Sequence, residues 1–224
     1  MRKTITTMRL NTIVIISLLL ITIGCENAQD KLIDDELVKQ VFTEEEIHSL
    51  DKIINFFDSL TYNKTYINEI DNRYHSFFDS LDITLDDCNY TDICINERIR
   101  DNFFKPLKLN GIFYEIWVWE NPILVRTNDT VINNPDFYFS IDLNNQGRYF
   151  QLLELMSEHD KYFDGIYKSC SGVGGLAPTV VGGFIENNEN ITYDKARIRL
   201  WAAIFYLTLE APVEVRLEKY LNNQ

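Results

Sequence analysis

Residues that could act in catalysis or bind a metal ion are few in this chain and lie far apart. The three histidines, His48, His75 and His159, lack metal-ligand spacing, and no His-Glu-x-x-His or paired Cys-x-x-Cys motif is present. Acidic residues surround His159 within residues 154–160, but they do not share its i+3 or i+4 positions on the predicted helix. We interpret this group as a solvated helix face and expect no metal and no cofactor.

A serine or cysteine nucleophile has no local signature in the sequence. The Gly-x-Ser-x-Gly turn that marks the nucleophile of many hydrolases is missing. Members of a catalytic triad need not be near one another in sequence, so a hydrolase that uses Ser169, Cys170 and His159 stays open as an alternative. We predict no catalytic residue and favour a protein that is not an enzyme.

The segment 169–185 is the most unusual stretch of the chain. It contains no charged residue and holds five of the nine glycines. It lacks the Lys-Ser/Thr pair of a phosphate-binding P-loop. Three interpretations stay open: an apolar connection beside the core, where glycine permits close backbone approach, a loop that lines a ligand site, and a segment that inserts into a membrane or a partner. Gly174 and Gly175 are the candidate residues that would distinguish them.

Trp117 and Trp119 form a second candidate surface. They lie two residues apart in a predicted strand and therefore share one face of it. Large aromatic residues at such positions usually belong to the core. If they were exposed beside a sheet edge, they would form a patch that binds protein or carbohydrate.

The N-terminus has the composition of an export signal. Residues 1–9 carry three basic side chains and no acidic one, and residues 10–23 form an apolar run. This run is too short for the ~20 apolar residues that span a bilayer, and a short run after basic residues is typical of a secretory signal. It stops at Gly24 and Cys25, and residues 26–30 are polar.

The four residues Thr22-Ile23-Gly24-Cys25 resemble the lipobox of bacterial lipoproteins. Thr22 departs from the commonest pattern, which has leucine three places before the cysteine. The resemblance implies that residues 1–24 are removed and that Cys25 becomes the acylated N-terminus. It implies that the protein is located in the cell envelope. We expect it to be anchored in the outer membrane, on the periplasmic or the surface face. An uncleaved signal anchor and a chance cysteine at a signal boundary are the alternatives.

The predicted mature chain is strongly acidic. Removing residues 1–24 takes away three of the 21 basic residues, which leaves 18 against 34 acidic residues and a formal net charge of −16. Such a charge argues against binding to nucleic acid, which needs a basic surface, and against lying flat on anionic lipid. It serves solubility, or it steers the protein toward a basic partner or cation.

Three cysteines follow Cys25, and an exported chain folds where disulfides form. Cys88 and Cys94 could not be bridged within one straight helix, because six residues rise about 9 Å and a bridge needs Cα atoms within about 7 Å. Residues 86–91 have the composition of a turn, which removes this objection. We name Cys88 and Cys94 as disulfide candidates; three free cysteines, with Cys170, are the alternative.

Hydrophobic spacing and capping residues predict mostly helix. The predicted helices cover residues 43–60, 67–81, 91–104, 148–169 (bent near Gly165), 192–210 and 212–221. Thr43 and Glu46 form a capping-box pattern, and the first two helices share the motif Phe-Phe-Asp-Ser-Leu, which favours a hairpin with Phe packed on Phe. The helix over residues 192–210 is apolar nearly all round and should lie in the core.

Between the helical parts, β-branched and aromatic residues predict strands. These cover residues 112–119, 123–126 and 137–143, with the second expected to pair with the first. The predicted class is therefore α+β and predominantly helical, with an N-terminal helical hairpin, a small antiparallel sheet of two or three strands, and buried C-terminal helices.

The predicted organisation is a signal peptide (1–24), a lipidated tether (25–42) and one globular domain (43–224), whose helical part is 43–105 and whose sheet and further helices are 111–221. We expect a membrane-anchored lipoprotein with a non-catalytic protein-binding role, as an accessory subunit or an immunity-type inhibitor. The expected partners are the membrane, through the lipid, and another envelope protein, with no nucleic acid. A tethered hydrolase and a carbohydrate-binding surface lipoprotein are the alternatives.

Overall fold

The structure, a computed structural model, describes residues 30–86, 94–127, 131–133 and 139–221. The described residues from Lys31 onwards belong to one unit. This unit is predominantly helical with two small antiparallel sheets, so the predicted α+β class is confirmed. Among the described residues, no helix combines the length and apolar character needed to cross a bilayer.

The helices are α1 (Glu36–Val41), α2 (Glu44–Thr65), α3 (Ile70–Asp86), α4 (Glu97–Leu109), α5 (Arg148–His159), α6 (Lys161–Val173), α7 (Pro178–Glu186), α8 (Ala196–Thr208) and α9 (Val213–Leu221). Short 3-10 helices cover Leu32–Asp34, Ile112–Glu115 and Asn188–Asn190. The strands are β1 (Trp117–Glu120), β2 (Leu124–Arg126), β3 (Val131–Asn133) and β4 (Ser140–Leu143).

The predicted helical hairpin is formed by α2 and α3. The Thr43 backbone N–H donates to Glu46 Oε2 at 3.0 Å, and the Glu46 N–H donates to Thr43 Oγ1 at 3.4 Å, so both bonds of the capping box are present. Phe57 of α2 meets Phe77 of α3 edge to face, with ring centroids 5.3 Å apart. The predicted packing of Phe on Phe is therefore confirmed.

Helix α8 is the centre of the core. Every residue of this helix except Arg197 is buried. Its Trp201 and Phe205 rings pack against Phe184 of α7, with centroids 6.0 Å and 4.3 Å apart. The predicted core helix is thus confirmed, although it begins at Ala196 instead of near Thr192.

The globular unit begins earlier than we predicted. Residues 25–42 were expected to be a flexible tether, but Leu32 and Phe42 are buried in the core and α1 lies between them. The Asp35 side chain caps α1 by accepting two of its backbone N–H groups. The tether that we propose is therefore restricted to residues 25–30.

Only the second half of the predicted strand over residues 112–119 is a strand, because β1 begins at Trp117. Ile112–Glu115 is a 3-10 helix that follows Gly111, whose φ of 84° starts the turn. Ile112, Phe113 and Ile116 are all buried, a helical spacing that composition alone could not separate from a strand.

Strand pairing also differs from the prediction. Residues 124–126 do not pair with β1; they form a separate two-stranded sheet with β3. Strand β1 pairs with β4, with Trp117 opposite Leu143 and Trp119 opposite Ile141. The predicted single sheet is therefore two sheets of two strands each.

Helix α4 and the helices over residues 148–173 also differ from their predicted boundaries. Helix α4 begins after Asn96, which caps it, and continues through Pro106 to Leu109, whereas we expected it to end before the proline. The long predicted helix over 148–169 breaks at Asp160, not at Gly165, because the Asp160 carboxylate accepts the Tyr162 N–H at 2.8 Å and starts a new helix. The predicted caps Thr91 and Asp92 lie outside the described residues.

Candidate functional site

The charge-free segment 169–185 is mostly helical. It completes α6, which ends at Gly174 with a φ of 83°, a left-handed conformation that glycine adopts without strain. Pro178 then starts α7 at a position where its missing N–H is not needed. Only residues 174–177 form a connection, and Phe184 anchors the following helix in the core.

The outer side of this segment borders a cleft of about 490 Å³, which we name the Glu210 cleft. Its volume is in the range of sites that bind small organic groups. Apolar side chains form most of its walls, namely Ile141, Leu176, Pro178, Val181 and Leu209. Polar groups enter it from Cys94, Asp142, Thr208 and Glu210. The segment therefore packs Val180, Phe184 and Ile185 into the core and lines the cleft with Leu176, Val181 and Gly182. That it binds a ligand stays a prediction.

Glu210 follows α8 and joins three other elements. Its Oε1 accepts a hydrogen bond from Arg100 Nη2 of α4 at 3.0 Å, and its Oε2 accepts one from Arg216 Nη1 of α9 at 2.6 Å. The same Oε2 accepts the Ile141 backbone N–H of β4 at 3.3 Å. One carboxylate thus ties two helices and a strand to the end of the core helix.

The ion pairs of Glu210 are largely withdrawn from water. The side chains of Glu210, Arg216 and Arg100 are 13%, 12% and 6% exposed. Burial raises the pKa of Glu210, and the two guanidinium groups oppose this rise. Both oxygens of this carboxylate are engaged, so Glu210 is a structural group in the cleft wall.

Asp142 of β4 is the second carboxylate of the Glu210 cleft. Its Oδ1 accepts the backbone N–H groups of Leu143 and Leu176, both at 2.7 Å. Its Oδ2 lies beside Gly175, where a Cβ atom would be only 2.2 Å away. Within the described part of the chain, no Lys, Arg or His side chain forms an ion pair with Asp142.

This close approach predicts that Gly175→Ala lowers the free energy of unfolding by about 1–3 kcal/mol, because the new Cβ displaces the Asp142 carboxylate from its two backbone donors. Gly172→Ala is the matched control, since Gly172 is an exposed helical glycine whose Cβ would meet nothing within 4 Å. It should leave stability unchanged or raise it by up to about 1 kcal/mol. Urea unfolding of both variants measures the difference, and equal effects would contradict the role given to Gly175.

The cysteines of the fold are protonated thiols at neutral pH. Cys94, at the edge of the Glu210 cleft, and Cys170, in the core, are both free, and burial raises the pKa of each to about 11. A thiol with such a pKa is a poor nucleophile. Cys88 lies outside the described residues, so its pairing with Cys94 stays a prediction.

The residues of the alternative hydrolase are not brought together. His159 is exposed and borders a second cleft of about 360 Å³, which neither Ser169 nor Cys170 lines. Ser169 lies eight residues into α6, roughly 12 Å along the helix axis from its start, beside which His159 lies. The geometry gives no support to a nucleophile and base formed by these side chains.

The two candidate tryptophans belong to the interior more than to the surface. Trp117 is 1% exposed and its indole N–H donates to Thr208 Oγ1 at 2.8 Å. Trp119 is half-buried, and the Lys108 ammonium lies 3.5 Å from its ring centroid. Because Trp117 is buried, these two positions do not form the exposed pair of indoles that the predicted carbohydrate patch needs.

No protein family model matches this sequence, and comparisons with curated proteins and with solved structures find no match. In the part of the chain that the structure describes, no three His, Cys, Asp or Glu side chains are grouped to hold a metal ion. The functional argument therefore depends on the chain's own residues.

Sequence reasoning missed the central residues of the Glu210 cleft. Arg100 and Glu210 are 110 residues apart, and no local motif marks either one. Asp142 alternates with the apolar residues of the predicted strand, as an ordinary solvent-facing side chain does, so it carried no signal either. Leu176 and Val181 were inside the segment already named as a candidate ligand loop.

Proposed function

We propose that this protein is a bacterial envelope lipoprotein, held in a membrane by lipid on Cys25, that binds a basic partner protein and catalyses no reaction. The observation that carries the proposal is the segment Leu10–Cys25, in which a short apolar run ends at a Gly-Cys pair. The outer membrane is the membrane we propose. We propose the role of an accessory subunit or an immunity-type inhibitor, because the chain combines a predicted lipid tether with a small acidic domain.

The geometry supports binding over catalysis. In the Glu210 cleft, both oxygens of Glu210 are engaged in ion pairs, and the Cys94 thiol has a pKa of about 11. Neither group is free to act as a nucleophile or a general base at neutral pH. What the cleft offers is an apolar lining and one carboxylate without an ion-pair partner among the described residues, which is a recognition surface.

The net charge of −16 supports a basic partner. Such a charge raises the rate of encounter with a positively charged protein and repels acidic ones, and both effects weaken as salt screens them. A lipid anchor adds high local concentration at the membrane surface, because two or three acyl chains hold a protein far more firmly than one.

The test is capture of partners from native envelopes after mild cross-linking, with the tagged full chain as bait and an unrelated lipoprotein of similar charge as control. We expect at least one basic envelope protein to be enriched over the control. Purified, that protein should bind the chain directly, and its affinity should fall at least tenfold between low and high salt. Recovery of no protein above the control would contradict the proposal.

A further inference from the structure

One of the two carboxylates of the Glu210 cleft has no ion-pair partner among the described residues. Two carboxylates line it, those of Asp142 and Glu210, and none of its lining residues is basic. Arg100 and Arg216 neutralise Glu210, but the charge on Asp142 has no ion-pair partner among the described residues. Asp142 is half-buried and lies beside apolar side chains, so a cation that enters the cleft would form a charge-assisted hydrogen bond with its carboxylate.

The geometry of Asp142 restricts which cation fits. Its Oδ1 already accepts two backbone N–H groups, so Oδ2 is the oxygen left for a ligand. A guanidinium group binds best when both carboxylate oxygens accept from it, whereas an ammonium group is a compact charge that needs only one. The neighbouring Thr208 hydroxyl already donates to Ile204 O and accepts from Trp117. Asp142 therefore favours an ammonium group.

The apolar walls of the cleft restrict which kind of molecule can bring an ammonium group to Asp142. Leu176, Pro178 and Val181 supply an apolar surface beside the carboxylate. The four-carbon stem of lysine buries well on such a surface while its charged end reaches a polar group. A volume of about 490 Å³ also admits the apolar neighbours of that lysine in a polypeptide.

We infer that the Glu210 cleft binds a lysine side chain of the partner protein, flanked by apolar residues, with its ammonium group on Asp142 Oδ2. This inference rests on the proposed function, because it names the site at which the basic partner docks. Charge complementarity to Asp142 and the apolar wall beside it carry the inference.

The test uses the full chain in detergent micelles and the peptide acetyl-Leu-Lys-Leu-amide, followed by NMR chemical shifts. We expect millimolar or tighter binding, at least tenfold weaker binding of the same peptide with acetylated lysine, and several-fold weaker binding with arginine in place of lysine. Asp142→Asn keeps the Oδ1 acceptor and should bring the lysine and acetyllysine peptides to equal affinity. Asp34→Asn, at an exposed carboxylate of the 3-10 helix Leu32–Asp34 outside the cleft, is the control and should leave both affinities unchanged.

A second variant keeps the inference testable if Asp142→Asn does not fold. Gly182 lines the cleft, and a Cβ atom there would meet nothing within 4 Å, so Gly182→Leu places a side chain in the cleft without a clash at its base. It should reduce peptide affinity at least tenfold. Gly172→Leu, at an equally open helical glycine outside the cleft, should not change it.

Equal affinities of the lysine and acetyllysine peptides for the unaltered chain would overturn the inference, and so would full lysine affinity in Gly182→Leu. Failure here is distinguishable from failure of the proposed function. If a basic partner is captured and binds Asp142→Asn as tightly as the unaltered chain, the partner docks elsewhere and only this inference falls. If capture yields no partner while the lysine peptide binds as expected, the proposed function falls and the site remains.

Discussion

Replacing Glu210 with alanine is expected to lower the free energy of unfolding by about 3–5 kcal/mol. The substitution leaves Arg100 buried without the carboxylate it binds, and it removes the nearer of two carboxylates beside Arg216, since Glu97 lies 3.9 Å from that guanidinium group. It also leaves the Ile141 N–H without its acceptor. Urea unfolding of the full chain in detergent, followed by tryptophan fluorescence, measures the change.

Two further substitutions test whether the effect comes from the charge of Glu210 and from its place in the fold. Glu210→Gln keeps a hydrogen-bond acceptor of the same shape and should cost less than Glu210→Ala. Glu218→Ala, an exposed glutamate of α9 with no ion pair among the described residues, should change stability by no more than about 0.5 kcal/mol. A loss below about 1 kcal/mol for Glu210→Ala would contradict the view that this carboxylate holds α4, α9 and β4 to the core helix.

Replacing Cys25 with serine is expected to abolish lipid labelling and to release most of the protein from the membrane fraction. The physical reason is that each buried methylene of an acyl chain contributes about 0.8 kcal/mol to membrane binding, and without the thiol no chain is attached. Metabolic labelling with a fatty acid, followed by fractionation, measures both effects.

The controls for this substitution are the other cysteines. Cys94→Ser and Cys170→Ser should keep full labelling, because both thiols belong to the folded domain. Labelling that persists in Cys25→Ser would refute the lipobox interpretation, and labelling lost in Cys94→Ser would point to a different acylated residue.

Local sequence patterns predicted the helices well where a side chain defines the boundary. The capping box at Thr43 and Glu46 is formed as expected, because both of its hydrogen bonds lie within four residues. The apolar character of residues 200–207 likewise predicted the buried helix α8. In these cases the information needed to define the element is contained in the element itself.

Boundaries that depend on tertiary contacts were not predictable. Helix α4 continues through Pro106 because its apolar face, with Phe104 and Leu107, is buried in the core. Packing of that face offsets the hydrogen bond that proline removes. The 3-10 helix Ile112–Glu115 has the composition of a strand. Its helical conformation depends on the burial of Ile112 and Phe113 in the core, which the local sequence does not reveal.

The Glu210 cleft was predictable only in part. Segment 169–185 was marked by its glycines, and it does line the cleft through Leu176, Val181 and Gly182. Arg216 is only six residues from Glu210, but Arg100 is 110 residues from Glu210 and Asp142 is 34 residues from Leu176, so no short window of sequence contains the site. Charge pairing across such distances is fixed by the fold alone.

The proposed lipid anchor on Cys25 can be observed directly at the N-terminus of the mature chain. Mass spectrometry of the N-terminal peptide of the protein, extracted from bacterial envelope membranes, reads both the processing site and the modification. We predict a chain that begins at Cys25 and carries fatty acyl groups. A chain that begins at Met1, or one that begins at or after Cys25 without lipid, would contradict the account.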